Sequence, residues 1–95
     1  MEIRHEEKGK KGEFFIEEEG ERLAKVQYFA SAEGQISVYH TEVDPKFRGE
    51  GIGEDLVAAV ARFALKNNLK IDPTCPYARK IIEETPEFAP VLADK

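Results

Sequence analysis

Arg48-Gly49-Glu50-Gly51-Ile52-Gly53 places three glycines in alternation between an extended segment and the start of a helix. The preceding residues, 35–43, are rich in β-branched and aromatic side chains and end at Asp44-Pro45, which is typical of a strand. From Ile52 onward, apolar residues recur at helical spacing. Glycines let backbone N–H groups approach a ligand, and a helix N-terminus presents unpaired N–H groups to the same point. The sequence therefore predicts an anion-binding turn.

Two familiar phosphate loops do not match these residues. A Walker loop requires Gly-Lys-Ser/Thr, whereas Gly53 is followed by Glu54-Asp55. A dinucleotide fingerprint counted from Gly49 and Gly51 requires a third glycine at position 54. The pattern that remains is Arg/Gln-x-x-Gly-x-Gly/Ala, which residues 48–53 satisfy. The alternative interpretation is a glycine turn that merely connects a strand to a helix.

The pattern resembles the pyrophosphate-binding loop of the GCN5-related N-acetyltransferases. The segments His40-Thr41-Glu42-Val43 and Asp72-Pro73-Thr74-Cys75-Pro76-Tyr77 resemble a small type of that superfamily, with a strand ending His-Thr-x-Val and a later Pro-x-Cys. The resemblance covers nearly the whole chain and is most specific from His40 to Phe88. It implies binding of acetyl-CoA or CoA by Thr41, Val43, Arg48, Gly49, Glu50, Gly51, Ile52, Gly53 and Cys75.

Length and composition indicate one domain spanning residues 1–95 with one modest core. Hydrophobic residues make up 41% of the chain, enough for a globular fold, and charged residues make up 35%. A net charge of −5 argues against nucleic acid or an anionic membrane as a partner. It suits a cationic amine acceptor, either a small molecule or a peptide, although ordinary solubility also explains it.

The single cysteine excludes an intramolecular disulfide and a cysteine-based zinc site, so we expect no metal. The N-terminus carries no apolar signal core, and no stretch approaches membrane-spanning length. We therefore expect a cytoplasmic protein that acts as a monomer.

The pattern of the chain predicts an α+β fold, in which an antiparallel meander leads to a parallel strand pair. The predicted strands are a short one around Ile3 and residues 14–18, 23–30, 35–43 and 69–72, with a basic turn over 8–12. One helix begins at Ile52 and stops near Asn67-Asn68, and a second covers 76–84. The helix between strands four and five makes them parallel. The resemblance implies that this pair splays to form a CoA-binding crevice.

The loops after strands four and five leave the same end of the parallel pair, so they should face one crevice. His40 and Glu42 lie two residues apart, on one face of strand four, and are candidates for the base that deprotonates an amine. A structural histidine and a solvated glutamate are the alternatives. We assign no role to His5.

Cys75 admits three interpretations: a nucleophile, a neighbour of the thioester, or a small buried residue. The larger superfamily opens its last helix with Asn-x-x-Ala-x-x-x-Tyr, in which the tyrosine protonates the departing thiolate. Cys75, Ala78 and Ile82 occupy those three positions here. We expect Tyr77, at the start of the helix, to point elsewhere, so general-acid catalysis has no assigned residue.

Two functions of different class follow from these features. One is an N-acetyltransferase that moves the acetyl group directly from acetyl-CoA to an amine, with His40, Glu42 and Cys75 as catalytic candidates. The other is a CoA-binding module with little or no turnover. A ligand-free interaction domain would require the glycine loop to be a coincidence.

Overall fold

The computed structural model describes residues 2–47 and 49–93. Five strands form one sheet in chain order: β1 (Arg4–Lys8), β2 (Lys11–Glu18), β3 (Glu21–Ala32), β4 (Gln35–Val43) and β5 (Lys70–Pro73). Two α-helices follow β4 and β5, namely α1 (Ile52–Lys66) and α2 (Pro76–Glu84). Two 3-10 segments, Pro45–Phe47 and Pro86–Val91, complete the described elements.

The topology confirms the predicted α+β fold. Strands β1 to β4 form an antiparallel meander, and β4 pairs with β5 in parallel through the α1 crossover. The bounds predicted for β4 and α2 agree with the structure, and α1 ends as expected, with Asn68 in a left-handed conformation at φ 57°. The two parallel strands place the loops that follow them at one end of the sheet.

The first three strands are longer than the sequence predicted. Gly9, at φ 62°, lets Lys8 pair with Lys11, so the predicted basic turn shrinks to two residues. Glu19 and Gly20 both take positive φ angles, 51° and 82°, and close a second two-residue turn. Tight turns leave the flanking residues free to continue the strand pairing. The first strand begins just after Ile3, which packs against the core from outside the sheet.

One core lies between a face of the sheet and α1. Phe14 and Ile16 of β2 belong to it, whereas Phe15 points to the other face, where the Arg22 guanidinium lies 3.9 Å from its ring centre. The C-terminal 3-10 segment also packs there through Phe88, which is 2% exposed. This segment was not predicted from the sequence.

His5 belongs to an aromatic cluster beside that core. Its ring stacks on Phe14 at 4.0 Å between centres, and its Nε2 lies 2.6 Å from the Tyr28 hydroxyl. Burial lowers the pKa of His5, and burial together with Glu7 raises the pKa of Tyr28 to about 12. Both groups are therefore neutral near pH 7, as a packed aromatic cluster requires.

A bulge interrupts the pairing of β3 with β4. Gln27 pairs with His40 and Tyr28 pairs with Val38, so Tyr39 is the extra residue in β4. Beyond the bulge, Thr41 and Val43 lie opposite Val26 and Ala24, which belong to the core. The bulge thus sets which side chains at the end of β4 point toward α1.

Over the residues that the structure describes, no helix is long and apolar enough to cross a membrane.

Candidate functional site

A cavity of about 490 Å³ opens where β4 ends and α1 begins. Its walls come from the last residues of β4, the loop that follows, the first turn of α1 and the start of α2. The lining residues are Thr41, Glu42, Val43, Phe47, Gly49, Gly51, Ile52, Gly53, Glu54 and Tyr77. The loop after β4 thus lines the cavity as the sequence predicted, whereas among the described residues Thr74 and Cys75 of the loop after β5 do not belong to the lining.

The cavity reaches the point where β4 and β5 separate. Within the described residues their pairing ends at Val38 and Pro73, while β4 continues for five more residues. The Val38 carbonyl accepts hydrogen bonds from the backbone N–H groups of Thr74 and Cys75, at 3.0 and 3.1 Å. Past that carbonyl the chain leaves β5 and enters α2. Thr41–Val43 thus pair with β3 along one edge and border the cavity along the other.

The first turn of α1 forms the floor of the cavity. Gly51 precedes the helix with φ 77° and ψ 9°, a left-handed conformation that glycine adopts without strain. Ile52, Gly53 and Glu54 are the first helical residues, whose N–H groups have no carbonyl partner within a helix. Gly51 has no side chain to cap them, so these donors are available to an anion.

Only some of the residues predicted to form the CoA-binding loop line the cavity. Gly49, Gly51, Ile52 and Gly53 line the cavity, whereas Glu50 is exposed and, among the described residues, does not belong to the lining. Arg48, the predicted cation of the loop, lies outside the described residues. The described part of the loop therefore contributes backbone donors to the cavity rather than charged side chains.

The cavity also carries two carboxylates. Glu42 lies at its β4 wall and Glu54 in the first turn of α1. Acidic residues in the first turn of a helix stabilise the free protein, because they interact with the positive end of the helix dipole. Their negative charge repels a phosphate at the same place. The backbone N–H groups of the loop are therefore the groups of this cavity that suit an anion.

His40 and Glu42 share one face of β4, and their side chains contact each other. His40 Nε2 lies 3.3 Å from Glu42 Oε1, and Lys25 Nζ lies 3.7 Å from the same oxygen. Both side chains project from the face of β4 opposite Thr41 and Val43. Among the described residues, the cavity lining includes Glu42 but not His40. The histidine thus lies across the sheet from the α1 side of the gap.

Cys75 lies beside the point where the strands separate. Its thiol donates to the Thr41 hydroxyl over 3.7 Å, and its side chain is partly buried against the core. The residue immediately precedes α2, with Pro76 in the first helical position. In the part of the chain described, Cys75 is outside the lining of the cavity, but it contacts Thr41, which belongs to it.

Tyr77 lines the cavity, contrary to the expectation that it would point elsewhere. Its hydroxyl lies directly over Gly53, close enough that a side chain at position 53 would collide with it. Burial, with Glu54 and Cys75 nearby, raises the pKa of the Tyr77 phenol. The packing of α2 on α1 creates this contact, and no local pattern of residues indicated it.

Two apolar residues, Phe47 in the loop after β4 and Ile82 in α2, pack in or against the core. Phe47, in the 3-10 segment after β4, lines the cavity and packs against the core. Ile82, which occupies the position of the superfamily's tyrosine, is 1% exposed and belongs to the core. No hydroxyl is thus supplied from that position.

The sequence profile that describes the GCN5-related N-acetyl-transferase family matches residues 13–91, most of the chain. This chain belongs to the GCN5-related N-acetyltransferase family. A GCN5-like protein from Staphylococcus aureus, solved by NMR, superposes with a TM-score of 0.76 at 32% identity, covering 99% of this chain and 89% of that one. The match to the family includes both the glycine loop and the Cys75 segment.

A solved structure of low identity shares the fold, and a further protein matches part of the sequence. The aminoglycoside N-acetyltransferase AAC(6')-Iy, solved in complex with CoA, superposes with a TM-score of 0.63 at 15% identity over 86% of this chain and 87% of that one. Protein NATD1 of Xenopus tropicalis is 39% identical over 51 residues, which are 54% of this chain and 47% of that protein. The matched segment thus spans about half the length of the curated relatives.

Proposed function

We propose that the chain acts as one domain that binds acetyl-CoA in the cavity at the start of α1 and transfers the acetyl group to a cationic amine, a small molecule or a peptide. The observation that carries this proposal is the cavity itself. It joins the uncapped first turn of α1 to the unpaired edge of β4 at the site where the parallel strands separate. Family membership makes acetyl transfer the reaction class to which such a site is suited.

The residues of the cavity fit the two ends of the proposed cofactor. The N–H groups that follow Gly51 suit a pyrophosphate, because they converge at the positive end of a helix dipole. The free edge of Thr41–Val43 suits the amide groups of a pantetheine arm, which can pair with a strand backbone. Arg48 is the cation that the loop pattern adds to these backbone contacts.

Acetyl transfer requires a base that deprotonates the amine and a gap in the sheet where the thioester can meet it. When bound, acetyl-CoA supplies a thioester whose carbonyl carbon is attacked by a neutral amine, with the thiolate leaving. Cys75 and Thr41 mark the α1 side of the gap, and His40 lies on the opposite face. We propose that His40 takes the ammonium proton of the acceptor and that Glu42 orients the imidazole and stabilises its charged form.

A CoA-binding module with little turnover is the second candidate. The buried Ile82 favours it, because this position supplies no hydroxyl to protonate a thiolate. Both functions require CoA binding, but only the acetyltransferase forms an acetylated product. Replacing His40 therefore lowers product formation only if the protein is an acetyltransferase.

Binding is tested first. We expect CoA and acetyl-CoA to stabilise the protein and NAD and ATP to do so much less, because the loop matches only the first class of ligand. Ligand at about one hundred times its dissociation constant adds about 2.7 kcal/mol to the free energy of unfolding. For a domain of this size that is a rise in Tm of at least several degrees. Thermal unfolding with each ligand, together with native mass spectrometry, measures it, and an unchanged Tm with CoA refutes the proposal.

Direct transfer is tested at Cys75. We expect Cys75→Ser to keep CoA affinity within a few-fold and to retain part of any acetyltransferase activity, because the thiol contacts Thr41 and no step of direct transfer needs it as a nucleophile. Intact-mass measurement after brief exposure to acetyl-CoA provides the check. An acetyl adduct on Cys75 that an amine acceptor discharges, and that the serine variant lacks, would instead establish a covalent intermediate.

A further inference from the structure

The contact between Tyr77 and Gly53 connects α2 to the phosphate end of the cavity. A Cβ built at position 53 would overlap the Tyr77 hydroxyl and would lie 3.0 Å from its ring carbon Cζ and 3.1 Å from Cε2. Real Cβ atoms are rarely so close to their neighbours. Gly53 adopts no positive φ, so its backbone conformation does not require glycine. The lack of a side chain at position 53 is instead what lets the phenol lie against α1.

The phenol is placed to act on a ligand. Tyr77 is 45% exposed, and its ring forms part of the cavity wall next to the first helical N–H groups of α1. A tyrosine phenol is protonated at neutral pH, and the raised pKa of Tyr77 does not change this. A protonated phenol donates a hydrogen bond, and a phosphate oxygen is a strong acceptor. Among the described lining residues, Thr41 is the one other that carries a side-chain hydroxyl.

We propose that Tyr77 is a cofactor-binding residue whose hydroxyl donates a hydrogen bond to a phosphate oxygen of CoA at the start of α1, and that Gly53 is a glycine in order to admit this phenol. The inference rests on the proposed CoA site and goes beyond it, since it gives Gly53, the last glycine of the loop, a role in packing rather than in contacting phosphate. It also assigns Tyr77 to the phosphate end of the cofactor instead of the thioester.

Removing the hydroxyl tests the first half of the proposal. We expect Tyr77→Phe to weaken CoA binding by about tenfold, the effect of losing one hydrogen bond to a charged group. The loss should be equal for CoA and acetyl-CoA, because the contact is with the phosphate and not with the thioester. Tyr39→Phe, which removes a phenol hydroxyl from the bulge of β4, is the matched control and should bind normally. Isothermal titration calorimetry measures all three proteins.

A double-mutant cycle tests the second half. Because Tyr77 is half exposed, we expect Gly53→Ala to displace its ring without unfolding the protein and to reduce CoA affinity about as much as Tyr77→Phe. In a Tyr77→Ala background, where no ring remains to be displaced, Gly53→Ala should have little further effect on affinity. Thermal unfolding confirms that each variant is folded.

The possible outcomes separate this inference from the proposed function. If the unmodified protein does not bind CoA, the proposed function fails and the inference fails with it. If it binds CoA and Tyr77→Phe binds equally well, the Tyr77 contact is refuted while the CoA site stands. If Gly53→Ala costs the same affinity with and without the Tyr77 ring, Gly53 contacts the ligand directly, and its assigned packing role is wrong.

Discussion

Replacing Gly51 with valine is expected to abolish CoA binding while leaving a folded protein. Gly51 holds φ 77° immediately before α1, where a β-branched residue is strained by about 1–3 kcal/mol. The new side chain would also extend beside the first-turn N–H groups that the proposed pyrophosphate site requires. We expect affinity to fall by at least about 100-fold, or roughly 2.7 kcal/mol. Isothermal titration calorimetry with CoA measures the loss.

Gly20→Val is the matched control for the backbone strain. Gly20 lies in the turn between β2 and β3 at φ 82°, with open space around it, so valine there is strained in a similar way at a distance from the cavity. Both variants should lose comparable stability in thermal unfolding, and the Gly20 variant should bind CoA normally. Normal CoA binding by the Gly51 variant would mean that the loop does not hold the phosphates.

Replacing His40 with alanine is expected to reduce any acetyltransferase rate by about two orders of magnitude or more while retaining CoA binding. His40 Nε2 lies 3.3 Å from a carboxylate oxygen of Glu42, and an imidazole can accept a proton from an ammonium group. Steady-state rates with an amine acceptor, for the variant and for the unmodified protein, measure the loss.

Two variants control for the His40 result. His5→Phe keeps a ring stacked on Phe14 and removes the chain's other histidine, so its rate per folded molecule should be unchanged. Glu42→Gln keeps a hydrogen-bonding partner for His40 but removes the charge, and its rate should fall less than that of His40→Ala. If the His40 variant keeps the full rate, the base is Glu42 or water instead.

Much of the fold and part of the site follow from local sequence. The glycine loop starts α1 at Ile52, and Asn68 stops it in a left-handed conformation. The β-branched and aromatic content of residues 35–43, followed by Asp44-Pro45, sets the bounds of β4. These features depend on backbone preferences of neighbouring residues, which a sequence displays directly. The order of a strand, a crossover helix and a second strand likewise determines a parallel pair and the end of the sheet at which a ligand binds.

Only the tertiary structure decided which side chains meet at the end of the sheet where the cavity lies. One extra residue at Tyr39 decides that Thr41 and Val43, rather than His40 and Glu42, face α1, and this bulge exists through pairing with the separate strand β3. Tyr77 reaches Gly53 because α2 packs on α1, although 23 intervening residues separate the two positions in sequence. Strand register and helix packing arise from contacts between distant segments, which short-range patterns of residues do not encode.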